Sequence, residues 1–284
     1  MQAILNYPGS KARMAGNILS LFPPANTYDT FIDAFGGAAN IFLALPDHRN
    51  LLKVYNDVDA RLFNFFKVLR NPEKRKQLIE MLCLTLYSRQ QFKECIEMPE
   101  PDDPVERAWR FFVLKNQAFS GSPKSTPGQW SYGLNGYSHH PQRWVNHIES
   151  LHGFGEKFRN VQIENLDYKN LISRYDSANC LIYADPPYMG STRAKDILYD
   201  YEMKDTNSHK ELAETLNSAN GMIVLSGYDC PEYNEWYSAW EKRTFDVVRS
   251  MSSERTKQRR TECVWLNPAC VSARRRHSQI NLFG

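Results

Sequence analysis

Asp185, Pro186, Pro187 and Tyr188 stand side by side in the sequence, and each brings a group that aromatic-amine chemistry needs. An aromatic amino group is a weak nucleophile, because its lone pair is delocalised into the ring. A site that methylates such a group must accept hydrogen bonds from the N–H2 and draw the nitrogen toward tetrahedral geometry. The Asp185 carboxylate is one acceptor. The Pro186 carbonyl is a second, and its rigid ring fixes where it points. Tyr188 offers a face on which a flat base could stack after leaving a duplex. The same residues also describe a strand that ends in a proline turn beside a buried tyrosine, and from these positions alone both descriptions stand.

The element that must hold them comes just before. Leu181, Ile182, Tyr183 and Ala184 form a short, mostly apolar run, the pattern of a buried strand. It stops at Asp185, because two prolines give no N–H to a neighbouring strand. The group therefore lies past a strand's carboxyl end, where open α/β sheets bind ligands.

Other segments repeat this layout. Tyr28–Asp33 suits a strand, Phe35-Gly36-Gly37 a turn, and Ala38–Leu45 a helix that ends at Pro46. Strand, glycine turn and helix let backbone approach a ligand and aim a helix N-terminus at it. The spacing is not GxGxxG, so the dinucleotide fingerprint is absent. Leu51–Asp57 reads as a second strand ending in an acid, about twenty residues beyond the turn, where nucleotide folds place an acid on ribose hydroxyls. The other role for an acid there is to cap the next helix, and Asp59 suits that better. That helix carries Leu62, Phe66 and Leu69 on one face and ends at Asn71-Pro72. Upstream, Tyr7 and Lys11 flank a Pro8-Gly9 turn that could grip a ligand with a flat part and a carboxylate, or be only a turn.

From Pro72 to about Asn165 the character changes. Glu73–Leu86 and Val105–Leu114 read as helices, with an acidic, proline-rich loop over Glu97–Pro104. Lys115–Trp144 is polar and rich in Gly, Pro and Ser, yet carries Trp130, Tyr132, Tyr137 and Trp144 with Lys115, Lys124 and Arg143. Aromatic and cationic residues on a pliable loop suit nucleic-acid contact. The alternative, expected for about half of these aromatics, is that they fold back into a small core. His139 and His140 have no third ligand nearby, so no metal is expected.

Asn160–Glu164 is a third strand candidate, followed by Asp167. Ser191–Asp205, with Thr192 and Arg193, is a polar loop that could cover the site. A helix is expected from the Ser208-x-x-Glu211 capping pattern, then strands at Met222–Ser226, Thr244–Val248 and Thr261–Leu266. Strands that repeatedly bracket helices give a three-layer α/β fold with a mainly parallel sheet, interrupted by a helical insertion.

Composition fits this. The chain has 284 residues, 42% hydrophobic and 24% charged, the values of an ordinary globule. No apolar run is long enough for a membrane span. The start, MQAILNYPGSK, lacks a basic-then-apolar signal pattern, so a cytoplasmic protein is expected. Six scattered cysteines, with no CxxC pair, argue against a zinc site and a disulfide framework. The net charge of +3 is uneven: Arg249, Arg255, Lys257, Arg259, Arg260, Arg274, Arg275 and Arg276 face only Glu254 and Glu262. That cluster suits a polyphosphate backbone, or equally a solvated surface.

YPGSK, FGG and DPPY, in that order around an insertion, resemble the Dam-type adenine-specific DNA methyltransferases, including those of bacterial viruses. The resemblance extends to DPPYMGSTR, the helix beginning at His209, SGY at Ser226–Tyr228 and TECVWLN at Thr261–Asn267. It implies a Rossmann-like methyltransferase sheet, mainly parallel with one antiparallel strand and helices on both faces. The catalytic domain would comprise residues 1–71 and 160–284, with a target-recognition insertion over 72–159. It implies S-adenosylmethionine as methyl donor. Tyr7 and Lys11 would hold it from the N-terminal loop, Phe35, Gly36 and Gly37 would line its methionine part, Asp57 would bind the ribose, and Asp167 would lie near the adenine. Asp33 and Asp185 join that set, and Asp185, Pro186, Pro187 and Tyr188 form the catalytic pocket. Double-stranded DNA would meet Lys115, Asn116, Lys124, Trp130, Tyr132, Tyr137, Arg143, Arg193, Arg259 and Arg260. A monomer or weak dimer is expected, with neither metal nor membrane. Restriction-modification is one setting in which such proteins act.

The sequence departs from better-known members inside the insertion. They show a run like LNRxxxNG, whereas Leu114–Gly121 reads LKNQAFSG, so the recognition sequence GATC is not carried over. Rival functions are amino methylation of cytosine, methylation of adenine in RNA, and a catalytically silent DNA-binding protein. A nicotinamide oxidoreductase is disfavoured by the glycine spacing.

Overall fold

The computed structural model describes residues 4–7, 9–46, 48, 50–121, 129–133, 139–189, 203, 205–247 and 260–283. Their centre is a seven-stranded sheet: β1 (Thr30–Asp33), β2 (Leu52–Asn56), β3 (Val161–Glu164), β4 (Cys180–Ala184), β5 (Met222–Tyr228), β6 (Glu241–Val247) and β7 (Arg260–Leu266). Strand order is β3-β2-β1-β4-β5-β7-β6. The first five neighbours pair in parallel, and β7 runs antiparallel to both β5 and β6. This is the mainly parallel sheet with one reversed strand that the sequence resemblance implies.

The central strand β4 reads as a continuous run without charged residues because both of its faces are covered. All five residues of β4 are buried. Alternate side chains go to opposite faces. Phe31, Tyr55, Leu181, Tyr183 and Val224 join one core, whereas Ile32, Val54, Ile182 and Ile223 join another.

Helices fill both layers: α1 (Ala15–Leu19), α2 (Asn40–Ala44), α3 (Ala60–Arg70), α4 (Pro72–Cys83), α5 (Arg89–Glu97), α6 (Pro104–Gln117), α7 (His140–Ser150), α8 (Phe154–Lys157), α9 (Tyr168–Tyr175), α10 (Thr206–Ser218), α11 (Pro231–Trp236) and α12 (Pro268–Phe283). Asp59 caps α3 by accepting from the Arg61 N–H, as its position suggested. Helix α10 starts earlier than the Ser208 pattern indicated. Asp205 is its cap, accepting from the Ser208 N–H.

The described part of 72–159 is helical, and the expected loop over Lys115–Trp144 is narrower than its composition suggested. Helix α6 continues to Gln117 and α7 begins at His140. These helices are not a detached lobe. Phe65 of α3 stacks on Phe112 of α6 at 6.0 Å, and Phe66 stacks on Phe154 of α8 at 5.2 Å, so one aromatic core joins them to the sheet.

Candidate active site

Three parallel strands deliver acids to one edge. Asp33 ends β1 and pairs with Tyr55 of β2 and Tyr183 of β4. Asp57 therefore follows β2, and Asp185 follows β4, at the same level of the sheet. Here β2 lies to one side of β1 and β4 to the other, and such a reversal opens a crevice between the two outgoing loops. Asn56, which sequence reasoning passed over, fastens that edge. It is buried, its amide donates to the carbonyls of Ala34 and Leu166, and its Oδ1 accepts from the Leu166 N–H.

The crevice holds a cavity of about 310 Å³. Its walls include Tyr7, Lys11, Asp33, Phe35, Gly36, Gly37, Asp57, Asp167 and Asp185, every residue expected to hold the methyl donor, together with Pro187. The glycine turn is specific about its residues. A Cβ on Gly36 would sit 2.1 Å from the Tyr55 ring, and Gly37 has φ +47°. The Gly36 N–H donates to the Asn56 carbonyl, and the Tyr55 hydroxyl donates to the Gly37 carbonyl.

The acids differ in their partners. Asp57 Oδ2 accepts from the Gly37 N–H at 2.9 Å and Oδ1 from the Asp59 N–H at 2.8 Å. It thus braces the turn against the start of α3. Burial pushes its carboxyl up to about 6, against the pull of those backbone donors. Asp33 is 1% exposed, and its Oδ1 has no hydrogen-bond partner among the described residues. Burial, then the charges of Asp185 and Asp57, hold its pKa well above the usual carboxylate range. A buried carboxyl oxygen left without a partner at a cavity wall suits a cationic or N–H-bearing ligand. Asp167 caps α9 by accepting from the Lys169 N–H while still lining the cavity.

Next to the cavity is a charged corner. Lys11 Nζ lies 3.0 Å from Asp185 Oδ1, close enough for an ion pair though not aligned as a hydrogen bond, and it donates to the Gly9 carbonyl. Burial works against the charge on Lys11, but Asp185 and Glu262 outweigh it and the pKa rises. Asp185 is raised by burial and drawn back by Lys11. The Tyr188 hydroxyl donates to Glu262 Oε2 at 2.9 Å, a partner on β7 that sequence reasoning missed. The signal was there: one acid immediately before the apolar run Cys263–Leu266 in the same strand.

The ring of Tyr188 is not open for stacking in this conformation. It is 8% exposed, Lys11 Nζ lies over it at 4.6 Å from the centroid, and Tyr228 meets it at 4.4 Å and 71°. The hydroxyl is bonded to Glu262 on the inner side, so opening a face of the ring would require moving Lys11 or turning the ring.

The residues expected to touch nucleic acid separate. Lys115 is buried, its ammonium over the Tyr7 ring at 4.7 Å. Asn116 is buried too, accepting from the Asn6 N–H and bonded to His147. Both face inward because the end of α6 packs on the N-terminal loop, so neither presents a surface to DNA. Tyr132 is exposed, Arg143 is exposed, and Trp130 is half-buried. Trp130 and Tyr132 stack at 6.1 Å, and the Arg89 guanidinium lies about 5 Å from each ring, at 5.1 and 5.0 Å. Trp144 is in the core. Lys124, Tyr137, Thr192, Arg193 and Arg259 lie outside the described residues, and for Arg260 only the backbone in β7 is described.

Comparison with known proteins agrees with the geometry. A family model for D12 class N6 adenine-specific DNA methyltransferase matches residues 7–252, from the N-terminal loop through the insertion and DPPY. A DNA adenine methylase of Salmonella typhi is 25% identical over 268 residues, which cover 89% of this chain and 90% of that protein. The modification methylase StsI of Streptococcus sanguinis is 26% identical over 209 residues, covering 66% of this chain and 29% of that longer protein. The chain belongs to the D12 class of N6 adenine-specific DNA methyltransferases.

Proposed function

We propose that the cavity binds S-adenosylmethionine and that the Asp185 corner receives the 6-amino group of an adenine flipped out of duplex DNA. One observation carries this reading: Asp185 shares a cavity wall with the Gly36-Gly37 turn, so an amine acceptor and a ligand cradle meet at one sheet edge. The residues fit the donor's parts. Asp33 offers a buried oxygen without a hydrogen-bond partner to a cationic or N–H-bearing centre. Tyr168, beside Asp167, offers apolar wall to a flat ring, and Asp57 offers acceptors to hydroxyls.

When bound, the sulfonium donor supplies an electrophilic methyl group. The chain's own residues do the rest. Asp185 accepts one N–H of the amino group and the Pro186 carbonyl accepts the other, which localises the nitrogen lone pair. Of these two acceptors only the Asp185 carboxylate is basic enough to take up the proton that the nitrogen loses. Fixing two reactants in line can remove roughly 7–11 kcal/mol of barrier. Direct transfer needs no covalent enzyme intermediate.

Residues 72–159 act as the target-recognition insertion. Within them, Arg89, Trp130, Tyr132 and Arg143 form the described surface best suited to DNA: cations beside exposed or half-exposed rings. The protein works in the cytoplasm as a monomer or weak dimer.

The test is methylation of duplex DNA with labelled donor, followed by digestion to nucleosides. N6-methyladenine is expected as the labelled product, and Asp185→Ala should lose on the order of 100-fold or more in rate, by analogy with an oxyanion-hole donor. Label in methylcytosine, or near-normal methylation by the Ala variant, would refute the assignment.

A further inference from the structure

Strand β7 is the one strand of the sheet that runs backwards, so its first residues arrive at the edge where β4 and β5 end. This brings Glu262 opposite Tyr228 and within hydrogen-bond reach of Tyr188. The corner then holds two carboxylates, Asp185 and Glu262, around one ammonium, Lys11. The Asp185–Lys11 contact is 3.0 Å, the Tyr188–Glu262 bond 2.9 Å, and Lys11 lies 4.6 Å from the centroid of the ring between them. We infer that Glu262 is a positioning residue for methyl transfer, fixing Tyr188 through its hydroxyl and giving Lys11 a second counter-charge, so that Asp185 keeps its negative charge for the substrate nitrogen.

The argument is electrostatic. Lys11 is 5% exposed, and a buried ammonium has to be paired. Were Asp185 its only carboxylate, the corner would be neutral, and a neutral corner does little for the positive charge that grows on the amino nitrogen as the methyl arrives. With Glu262 ionised, the three groups together carry one negative charge, in a place largely withdrawn from water where such a charge acts strongly. The hydroxyl bond has a separate consequence. It ties the fourth residue of DPPY to β7, so Tyr188 is anchored to a second strand besides β4, which it follows.

This inference rests on the methylation reading, and the experiment separates the two. Glu262→Gln keeps an oxygen that can accept from Tyr188 but removes the charge; Glu262→Asp keeps the charge; Tyr188→Phe removes the hydroxyl alone. Single-turnover methylation and donor affinity are measured for each, with Asp185→Ala as control. Glu262→Gln is expected to slow transfer about tenfold or more, the usual effect of losing a charge-assisted contact, while donor affinity stays within roughly twofold. Glu262→Asp should recover most of the rate. A packing role would lower melting temperature and donor affinity together and would not be rescued by the shorter acid.

Normal transfer by Glu262→Gln beside an inactive Asp185→Ala overturns the role of Glu262 and leaves the active site standing. Normal transfer by Asp185→Ala removes both. If Glu262→Gln does not fold, Tyr188→Phe decides. An unchanged rate there rules out positioning through the hydroxyl, and a several-fold loss with donor still bound supports it.

Discussion

The backbone N–H of Asn6 donates to the side-chain oxygen of Asn116 at 2.8 Å, joining two residues 110 positions apart. Asn6 immediately precedes Tyr7 in the loop that walls the cavity, and Asn116 belongs to α6 of the helical segment. The contact is reinforced nearby: Lys115 covers the Tyr7 ring, and a Cβ on Gly121 would sit 2.1 Å from the Asn6 carbonyl oxygen. The end of α6 is thus the surface on which the N-terminal loop is laid. Asn116→Ala leaves the Asn6 N–H and the His147 ring without their acceptor. A buried group orphaned in this way costs about 1–3 kcal/mol. We expect a loss of that size in urea denaturation, with weaker donor binding by calorimetry. Stability lost with donor affinity intact would show that the contact holds the fold only.

His147 adds a pH dependence to the same junction. Its Nδ1 lies 2.7 Å from Asn116 Oδ1, which can only accept, so the neutral ring carries its proton on Nδ1. Burial, and then the charge of Arg143, pull its pKa down to about 4 from 6.5. Between those values the unfolded chain takes up the proton more readily than the folded one. This contribution to stability is therefore full above about pH 6.5 and shrinks as pH falls toward about 4, by roughly 3 kcal/mol at most. Urea midpoints at about pH 7 and about pH 4.5 should converge in His147→Gln relative to the parent. An undiminished difference would assign the acid sensitivity to other groups.

The glycine turn gives a steric prediction. Gly36→Ala forces a methyl group to within 2.1 Å of Tyr55, a ring that is 1% exposed and bonded to the Gly37 carbonyl. The ring has no room to retreat, so the turn has to open. Overpacking of this kind costs about 1–3 kcal/mol, and because the turn walls the cavity, donor affinity should fall with it. Gly16→Ala is the control, since nothing lies within 4 Å of its added Cβ. Equal melting temperatures and donor affinities for the two variants would mean that Tyr55 yields.

Much of this site is local in sequence, and that is why it was legible. A buried strand followed by DPPY, and a strand followed by FGG, each carry their geometry within about ten residues, through apolar runs, missing amide protons and glycine freedom. Parallel pairing then sets their ends side by side. What escaped is long-range. Glu262 reaches Tyr188 only because β7 is reversed, and the inward turn of Lys115 and Asn116 depends on where the N-terminal loop lies. Composition places Lys115 in a pliable loop, and the family resemblance puts Lys115 and Asn116 against DNA; neither signal carries the position of the N-terminal loop. Helix α5 was missed although Phe92, Cys95 and Ile96 fall at helical spacing, because three apolar positions in a nine-residue segment make a short signal.

Asp57 carries the last prediction. Its oxygens brace the glycine turn and α3, and burial raises its carboxyl to about 6 from 3.8. The folded protein therefore holds this proton more tightly than the unfolded chain, so the group's contribution to stability declines as pH rises from about 4 to about 6. Its effect on ligand binding has the opposite sign. Above about pH 6 the ionised carboxylate can accept from hydroxyls while still receiving the two backbone N–H groups; below it, one oxygen becomes a donor and that capacity is lost. Donor affinity measured by calorimetry should weaken as pH falls through about 6. Asp57→Asn should bind less tightly at neutral pH, by about tenfold for a lost charged acceptor, and should show no such transition. A transition that persists in the Asn variant would move the titration to Asp33 or Asp185, the other raised carboxyls on the same wall.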